Sequence, residues 1–323
     1  MSDVTADLLV VGAGPTGLFA TYYAGFRGLE VALVDSLPEL GGQVTAMYPE
    51  KAILDVAGFP SVKGRDLVAG LVEQARTADP TYLLGRTALE LEHRDDDVVV
   101  TLDDGTRVVA RAVLVTAGIG TFRPRPLPVG SEWVGRGVEY FVPDFEPYRD
   151  KDLVIVGGGD SAFDWAQSLE PLARSVTLVH RRDAFRAHQR TVETVLGSSV
   201  RVVTKAQVAA IRGNGRVEEV ELVLDGGEPL VVPAQAVVAA LGFVADLGPI
   251  QQWGLETEKR HVVVDASMRT NLPRVFAAGD ITQYPGKVRL IAVGFGEAAT
   301  AVNNAAVVID PSAHVFPGHS SEG

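Results

Sequence analysis

Two glycine-rich turns, each set between an apolar run and a helix-like stretch, constrain the fold of this 323-residue chain more than anything else in it. The first is Gly12-Ala13-Gly14-Pro15-Thr16-Gly17 and the second is Gly157-Gly158-Gly159-Asp160-Ser161-Ala162. The first turn follows Leu8-Leu9-Val10-Val11 and opens a stretch with helical character from Leu18 to Arg27. A second apolar strand, Val31-Ala32-Leu33-Val34, then ends in Asp35. That is a complete βαβ context. Its glycines allow a tight turn, a close approach of backbone to a pyrophosphate and packing of helix on strand, while the helix N-terminus offers unpaired N–H groups to the anion. Gly12, Gly14, Thr16 and Gly17 are therefore the phosphate-binding candidates. Asp35, about 20 residues further on, stands where a carboxylate accepts both hydroxyls of an adenosine ribose.

The second turn repeats the arrangement, with Leu153-Val154-Ile155-Val156 before it and Ser175-Val176-Thr177-Leu178-Val179 as the next strand. Here the chain continues His180-Arg181-Arg182-Asp183-Ala184-Phe185-Arg186, so arginines replace the acid. A carboxylate would repel a ribose 2′-phosphate, whereas guanidinium groups grip one through bidentate, charge-assisted hydrogen bonds. Gly157, Gly159, Asp160 and Ser161 are the candidates for the pyrophosphate, and Arg181, Arg182 and Arg186 for a 2′-phosphate, so this site is expected to prefer NADPH to NADH. The alternative is a solvated basic turn, the usual fate of short charge runs.

The same plan is legible twice along the chain. Each turn is followed at a distance by an apolar strand running into small residues, Ala112 to Gly118 in the first half and Ala236 to Gly242 in the second. Asp97–Leu102 with Thr106–Val109, and Glu219–Leu224 with Pro229–Val232, flank Asp-Gly turns and read as antiparallel additions. The proline-rich segment from Gly120 to Pro128 reads as a linker, and after Gly242 the composition returns to that of the first part. The predicted architecture is α/β, with two Rossmann-like domains, each built on a central parallel sheet with a small antiparallel β insertion. The first domain is discontinuous, 1–121 with 245–323, and the second is 122–244. Late in the first domain, Val275-Phe276-Ala277-Ala278 delivers Gly279-Asp280 ahead of a small-residue helix pattern beginning at Ile291. Asp280 is either a ligand to a polyol or pyrophosphate or a helix cap.

Composition excludes several classes. There is no cysteine, so disulfides, thiolate metal sites and thiol redox catalysis are ruled out. The six histidines have no ligand-like spacing, and no metal is expected. A net charge of −12 opposes broad contact with nucleic acid or anionic membrane. No apolar run is expected to approach the roughly 18 residues that cross a bilayer, and no basic-then-apolar leader is evident, so a cytoplasmic location is expected.

The whole chain resembles the ferredoxin–NADP reductases of the thioredoxin-reductase type. The residues carrying the resemblance are Gly12 to Gly17, Leu40-Gly41-Gly42-Gln43 with Tyr48-Pro49-Glu50-Lys51, Asp55 to Pro60, Gly157 to Ala162, His180 to Arg186, Ala278-Gly279-Asp280 and Gly294-Phe295-Gly296-Glu297-Ala298. Thioredoxin reductases carry a redox-active Cys-x-x-Cys just before the second turn; here Tyr140 and Pro143 take the cysteine positions. The resemblance implies FAD in the first domain and NADPH in the second, with electrons leaving the flavin directly for ferredoxin or flavodoxin. It implies Asp35 on the ribose, Thr16 on the phosphates, Gln43 and Tyr48 along the flavin half, Ala88 and Phe122 near the adenine end, and Asp280 on the ribityl-pyrophosphate side. Tyr48 would stack on one flavin face and His319, in the tail Phe316 to Ser321, on the other, with Ser321 a further flavin contact. It also implies a homodimer, and rotation of one domain against the other about Gly118–Pro128 and Gly242–Gly248. Two other functions stay open: an NADPH-dependent reductase of small acceptors such as quinones, ferric chelates or free flavin, and a low-turnover flavin redox sensor.

Overall fold

The structure is a computed structural model and describes residues 3–227, 229–316 and 318. Its contacts divide the chain into two compact units, Met1–Ala46 with Ala52–Phe122 and Ala245–Gly323, and Met47–Lys51 with Arg123–Val244. The short segment 47–51, which the sequence places in the first domain, thus groups with the second unit.

The first unit is built on a seven-stranded sheet. Its parallel part runs Thr81–Leu84, Val31–Asp35, Val4–Val11, Arg107–Val115, with Val275–Ala277 also pairing with Arg107–Val115. Leu8, Leu9 and Val10 are fully buried, as are Val113, Leu114 and Val115, which is why these strands read as continuous apolar runs rather than alternating ones. Helices Pro15–Phe26, Gly64–Arg76 and Ile291–Ile309 belong to the same unit. Pro15 occupies a first-turn position, where its missing N–H costs nothing.

The sequence separates a hairpin strand at Thr106–Val109 from an exit strand beginning at Ala112; the structure joins them into one nine-residue strand, Arg107–Val115. Its first half pairs antiparallel with Asp97–Leu102, which pairs in turn with Ala88–Arg94. Burial alternates along that first half and becomes continuous along the second, so one strand carries both patterns.

A second correction concerns Ile291–Ile309. At 19 residues it is long and apolar enough to cross a membrane by composition, contrary to the expectation of no such run. It packs in the core of the first unit instead, burying Ala298, Ala301, Val302, Ala305 and Ile309.

The second unit is built on a five-stranded parallel sheet in the order Val138–Glu139, Ala236–Ala239, Asp152–Val156, Ser175–Val179, Arg201–Val203. Helices Asp160–Leu169 and Gln189–Leu196 accompany it, with Phe163, Leu169, Leu153, Ile155 and Leu178 in one core cluster. A separate antiparallel sheet of Ala206–Gly213, Val217–Leu224 and Leu230–Pro233 forms the β insertion expected here.

Candidate functional site

In the first unit the parallel strands Val4–Val11, Val31–Asp35, Arg107–Val115 and Val275–Ala277 deliver their carboxyl ends to one edge of the sheet, the place where open α/β sheets bind ligands. Gly12 sits there at φ +113°, and a Cβ on it would come 2.6 Å from the Thr116 carbonyl oxygen, so only glycine fits. Gly17 is equally confined, by the Gly12 carbonyl, whereas a Cβ on Gly14 would meet open space. Gly14 is the N-cap of Pro15–Phe26, and neither a capping side chain nor an acid in the first turn occupies that helix end. Its amides are therefore available to an anion. The Thr16 side chain lies against Gly279 and Gly294, with Oγ1 2.9 Å from where a Cβ on Gly279 would stand.

Asp35 Oδ2 accepts the Ala13 N–H at 2.6 Å, tying the turn to the next strand, and Oδ1 accepts the Leu37 N–H at 2.8 Å. Burial pushes its pKa up, and these two bonds oppose the shift. Each carboxylate oxygen keeps accepting capacity beyond one bond, so the group can still receive ribose hydroxyls. The Ala13 carbonyl takes the Gly41 N–H at 2.9 Å, and a Cβ on Gly42 would stand 2.9 Å from Gly14 Cα, which brings the segment 41–43 to the turn. Gln43 reaches the strand exit, its Nε2 3.0 Å from a Cβ position on Gly118. Ala88 is buried at the start of its strand, and Arg86 N–H bonds to the Asp35 carbonyl at 3.0 Å just before it.

Asp280 follows Gly279, whose φ is +84°. Its side chain is half-buried and has no hydrogen-bond partner among the described residues, and burial pushes its pKa up against the pull of Lys287 and Arg289. A half-buried acceptor set with no partner among the described residues, beside an uncapped helix end and a glycine cradle, fits the hydroxyl-rich, anionic half of a flavin dinucleotide.

Tyr48 packs on the second unit's core cluster of Val142, Leu153 and Phe163, with the Lys51 ammonium 5.9 Å from its ring centroid. Lys51 is itself paired with Asp164 at 2.5 Å. The side chain of Phe122, and His319 and Ser321, lie outside the described residues.

In the second unit, Gly157 is closed in by the Ala240 carbonyl and Ala162, Gly158 by the His180 ring, and Gly159 faces open space at the uncapped N-terminus of Asp160–Leu169. Asp160 Oδ1 accepts the His188 N–H at 2.8 Å, and Ser161 is exposed on the first turn. The Arg186 N–H bonds to the Gly158 carbonyl at 2.8 Å and so fixes the arginine turn to the glycine turn. Arg181, Arg182 and Arg186 are exposed, and among the described residues their guanidinium groups have neither an ion pair nor a hydrogen bond. The acid between them, Asp183, is taken by Lys205 at 2.8 Å. His180, lying against Phe185 at 5.7 Å, has its pKa lowered by burial, with the three arginines adding to the shift, so at neutral pH the positive charge here comes from the arginines.

Sequence reasoning assigned no role to Glu297, Lys287 and Tyr284, which gather behind Gly279. Tyr284 Oη and Lys287 Nζ both donate to Glu297, whose other oxygen accepts the Gly279 N–H at 2.7 Å. The available signal was a lone charge inside an otherwise apolar helix, which must find a partner.

The pyridine nucleotide-disulphide oxidoreductase family model matches residues 6–305. The chain is 78% identical to a ferredoxin–NADP reductase of Nocardioides sp., over 99% of this chain and 98% of that one. It is 65% identical to one of Frankia alni, over 97% and 98%, and 47% identical to one of Halalkalibacterium halodurans, over 98% and 97%. Thioredoxin reductases of T. acidophilum and Lactococcus lactis share its fold, with TM-scores of 0.82 and 0.80 at 25% and 24% identity, covering 96% and 94% of this chain and 100% and 99% of theirs. The dithiol of the family's name has no counterpart in a chain without cysteine. By sequence and by fold, this chain belongs to the pyridine nucleotide-disulphide oxidoreductase family and, within it, to the ferredoxin–NADP reductases.

Proposed function

We propose that the first unit binds FAD and the second NADPH, and that the chain is a ferredoxin–NADP(+) oxidoreductase working without a dithiol step. The observation that carries this reading is the opposite chemistry at two equivalent strand ends. Asp35 closes one βαβ unit with spare acceptors, and three arginines without an ion pair or a side-chain hydrogen bond among the described residues close the other.

Bound in the first unit, FAD would supply hydride chemistry toward a nicotinamide and single-electron chemistry toward an iron–sulfur protein. The chain's own task is to hold and orient. The amides after Gly14 meet the pyrophosphate, Asp35 the adenosine ribose and Asp280 the ribityl side, while Gln43 and Gly118 border the ring half. Tyr48 and His319 are the stacking rings implied by the resemblance, with Ser321, Ala88 and Phe122 as further contacts. In the second unit the Gly157–Gly159 turn with Asp160 and Ser161 receives the coenzyme pyrophosphate, and Arg181, Arg182 and Arg186 its 2′-phosphate.

Ferredoxin, or flavodoxin in its place, is the proposed electron partner, and the cytoplasm the proposed location. A homodimer is part of the same reading. It is supported by the aromatic run Phe19, Tyr22, Tyr23 and Phe26 on one helix, joined by Phe295 at 5.2 Å from Phe19, with Phe26 60% exposed. Sedimentation of the native chain against Phe26→Glu checks this, a dimer that persists unchanged in the variant counting against that face. The cofactor assignment is tested by anaerobic mixing of the yellow protein with each nicotinamide: NADPH should bleach the flavin far faster than NADH at equal concentration. Equal rates would remove the arginine assignment, and no bleaching would remove the reductase reading.

A further inference from the structure

Glu297 is the single charged residue of Ile291–Ile309, and only 5% of its side chain is exposed; that of its partner Lys287 is 2% exposed. Both charges converge on the backbone of one residue, Gly279, from the two peptide units that flank it. Glu297 accepts the Gly279 N–H at 2.7 Å, and Lys287 donates to the Gly279 carbonyl at 3.0 Å. Thr282 adds its N–H at 3.0 Å and its hydroxyl at 2.8 Å to the same carbonyl. Tyr284 donates to Glu297 at 2.5 Å, which completes the pair's shell.

Burying two charges costs desolvation that their attraction barely offsets, and replacing such a pair by apolar residues is often neutral or stabilising. Stability alone is therefore a weak reason for this arrangement. Its geometry points elsewhere: Glu297, Lys287 and Thr282 each bond to the residue before Asp280, and the Asp280 carboxyl has no hydrogen-bond partner of its own among the described residues. With no side-chain bond among the described residues to hold the carboxyl, its placement depends on the Cα–Cβ direction that the backbone gives it, and the pair clamps the backbone just before it. Gly279 adds to the constraint, since it is held at φ +84° against Thr16.

We infer that Glu297 and Lys287 are positioning residues which aim the Asp280 carboxyl at bound flavin. The inference rests on the reading of the first unit as the FAD site. Neither residue touches the ligand; both hold Gly279, and their charges also bear on the Asp280 carboxyl, Lys287 favouring and Glu297 opposing its ionised form.

The experiment is a double-mutant cycle on the full chain stripped of flavin, with FAD rebinding followed by quenching of its fluorescence and folding followed by circular dichroism. Glu297→Gln should raise the Kd for FAD about tenfold or more, the size of effect seen when a residue that orients a metal ligand is removed. In the Asp280→Asn background the same change should cost no more than about threefold, because the group being aimed has lost its charge. An equal cost in both backgrounds would show that Glu297 serves the fold rather than Asp280 and would overturn the inference. So would an unchanged Kd in Glu297→Gln. If that variant fails to fold with Lys287 left unpaired, Glu297→Gln combined with Lys287→Met removes both buried charges together. It should fold, bind FAD about fivefold or more weakly, and show the same dependence on Asp280; native affinity in it would overturn the inference. A native chain that does not take up FAD would instead overturn the reading of the site, and the inference with it.

Discussion

Replacing Arg181 and Arg182 together by alanine should cripple the use of NADPH and spare that of NADH. Neither guanidinium is held by another group of the chain among the described residues, so the substitution breaks no internal bond and leaves no partner stranded. Both side chains are exposed, and solvent screens what each gives to a 2′-phosphate. A screened, charge-assisted contact is worth about 1 kcal/mol, or about fivefold. Two such contacts compound to about 25-fold in the Michaelis constant for NADPH when they act independently. NADH lacks the phosphate, so its constant should move less than about twofold. The assay is steady-state reduction of an artificial acceptor at varied coenzyme. Raising the salt should erode the native preference for NADPH and leave the variant indifferent. An equal loss with both coenzymes would mean that the turn supports the fold or the pyrophosphate, and would refute the assignment.

Three further outcomes follow from the same geometry. Asp280 has a folded pKa above its ordinary 3.8 because burial disfavours the charge, so the folded state binds its proton more tightly than the unfolded chain does. The resulting penalty is absent below pH 3.8, grows as the pH rises toward the folded value and is constant beyond it; Asp280→Asn should therefore raise the melting temperature of the flavin-free protein at pH 7, less so near pH 4, while weakening FAD. Gly12→Ala, which drives a Cβ to 2.6 Å from a backbone oxygen at φ +113°, should destabilise the protein by about 2 kcal/mol or more in a urea titration and abolish yellow colour after purification; a native-like midpoint would contradict the packing described. Phe163→Ala empties a fully buried position that meets Phe185 edge-on at 4.8 Å, and should cost about 3–5 kcal/mol, read as a lower urea midpoint.

Much of this was legible in the residues, because the strongest signals are local. A four-residue apolar run, a glycine turn and the residue ending the next strand lie within about 25 positions of one another, and each carries its own physical reason. Signals that need the folded chain were read less well. Thr106–Val109 and Ala112–Val115 looked like two strands because one alternates and the other does not, yet a single strand can leave a half-exposed hairpin and enter a buried parallel sheet. Ile291–Ile309 carries Glu297 and two asparagines within its apolar sequence, and only in the folded chain does the carboxylate find its partner, Lys287. That pair spans ten sequence positions across a turn and a helix start, a spacing no pattern announces. Tyr48 and its neighbours group with the second unit because an aromatic ring goes where apolar partners are, and the cluster it packs against, which includes Val142 and Phe163, lies about 100 residues away in the sequence.

The most direct test of the whole account is NADPH-supported reduction of cytochrome c by the purified yellow protein, at saturating coenzyme, with ferredoxin varied from none to excess. The account predicts a slow basal rate and a strong, saturable rise with ferredoxin. Fast turnover that ignores ferredoxin would contradict it and make the chain a reductase of small acceptors.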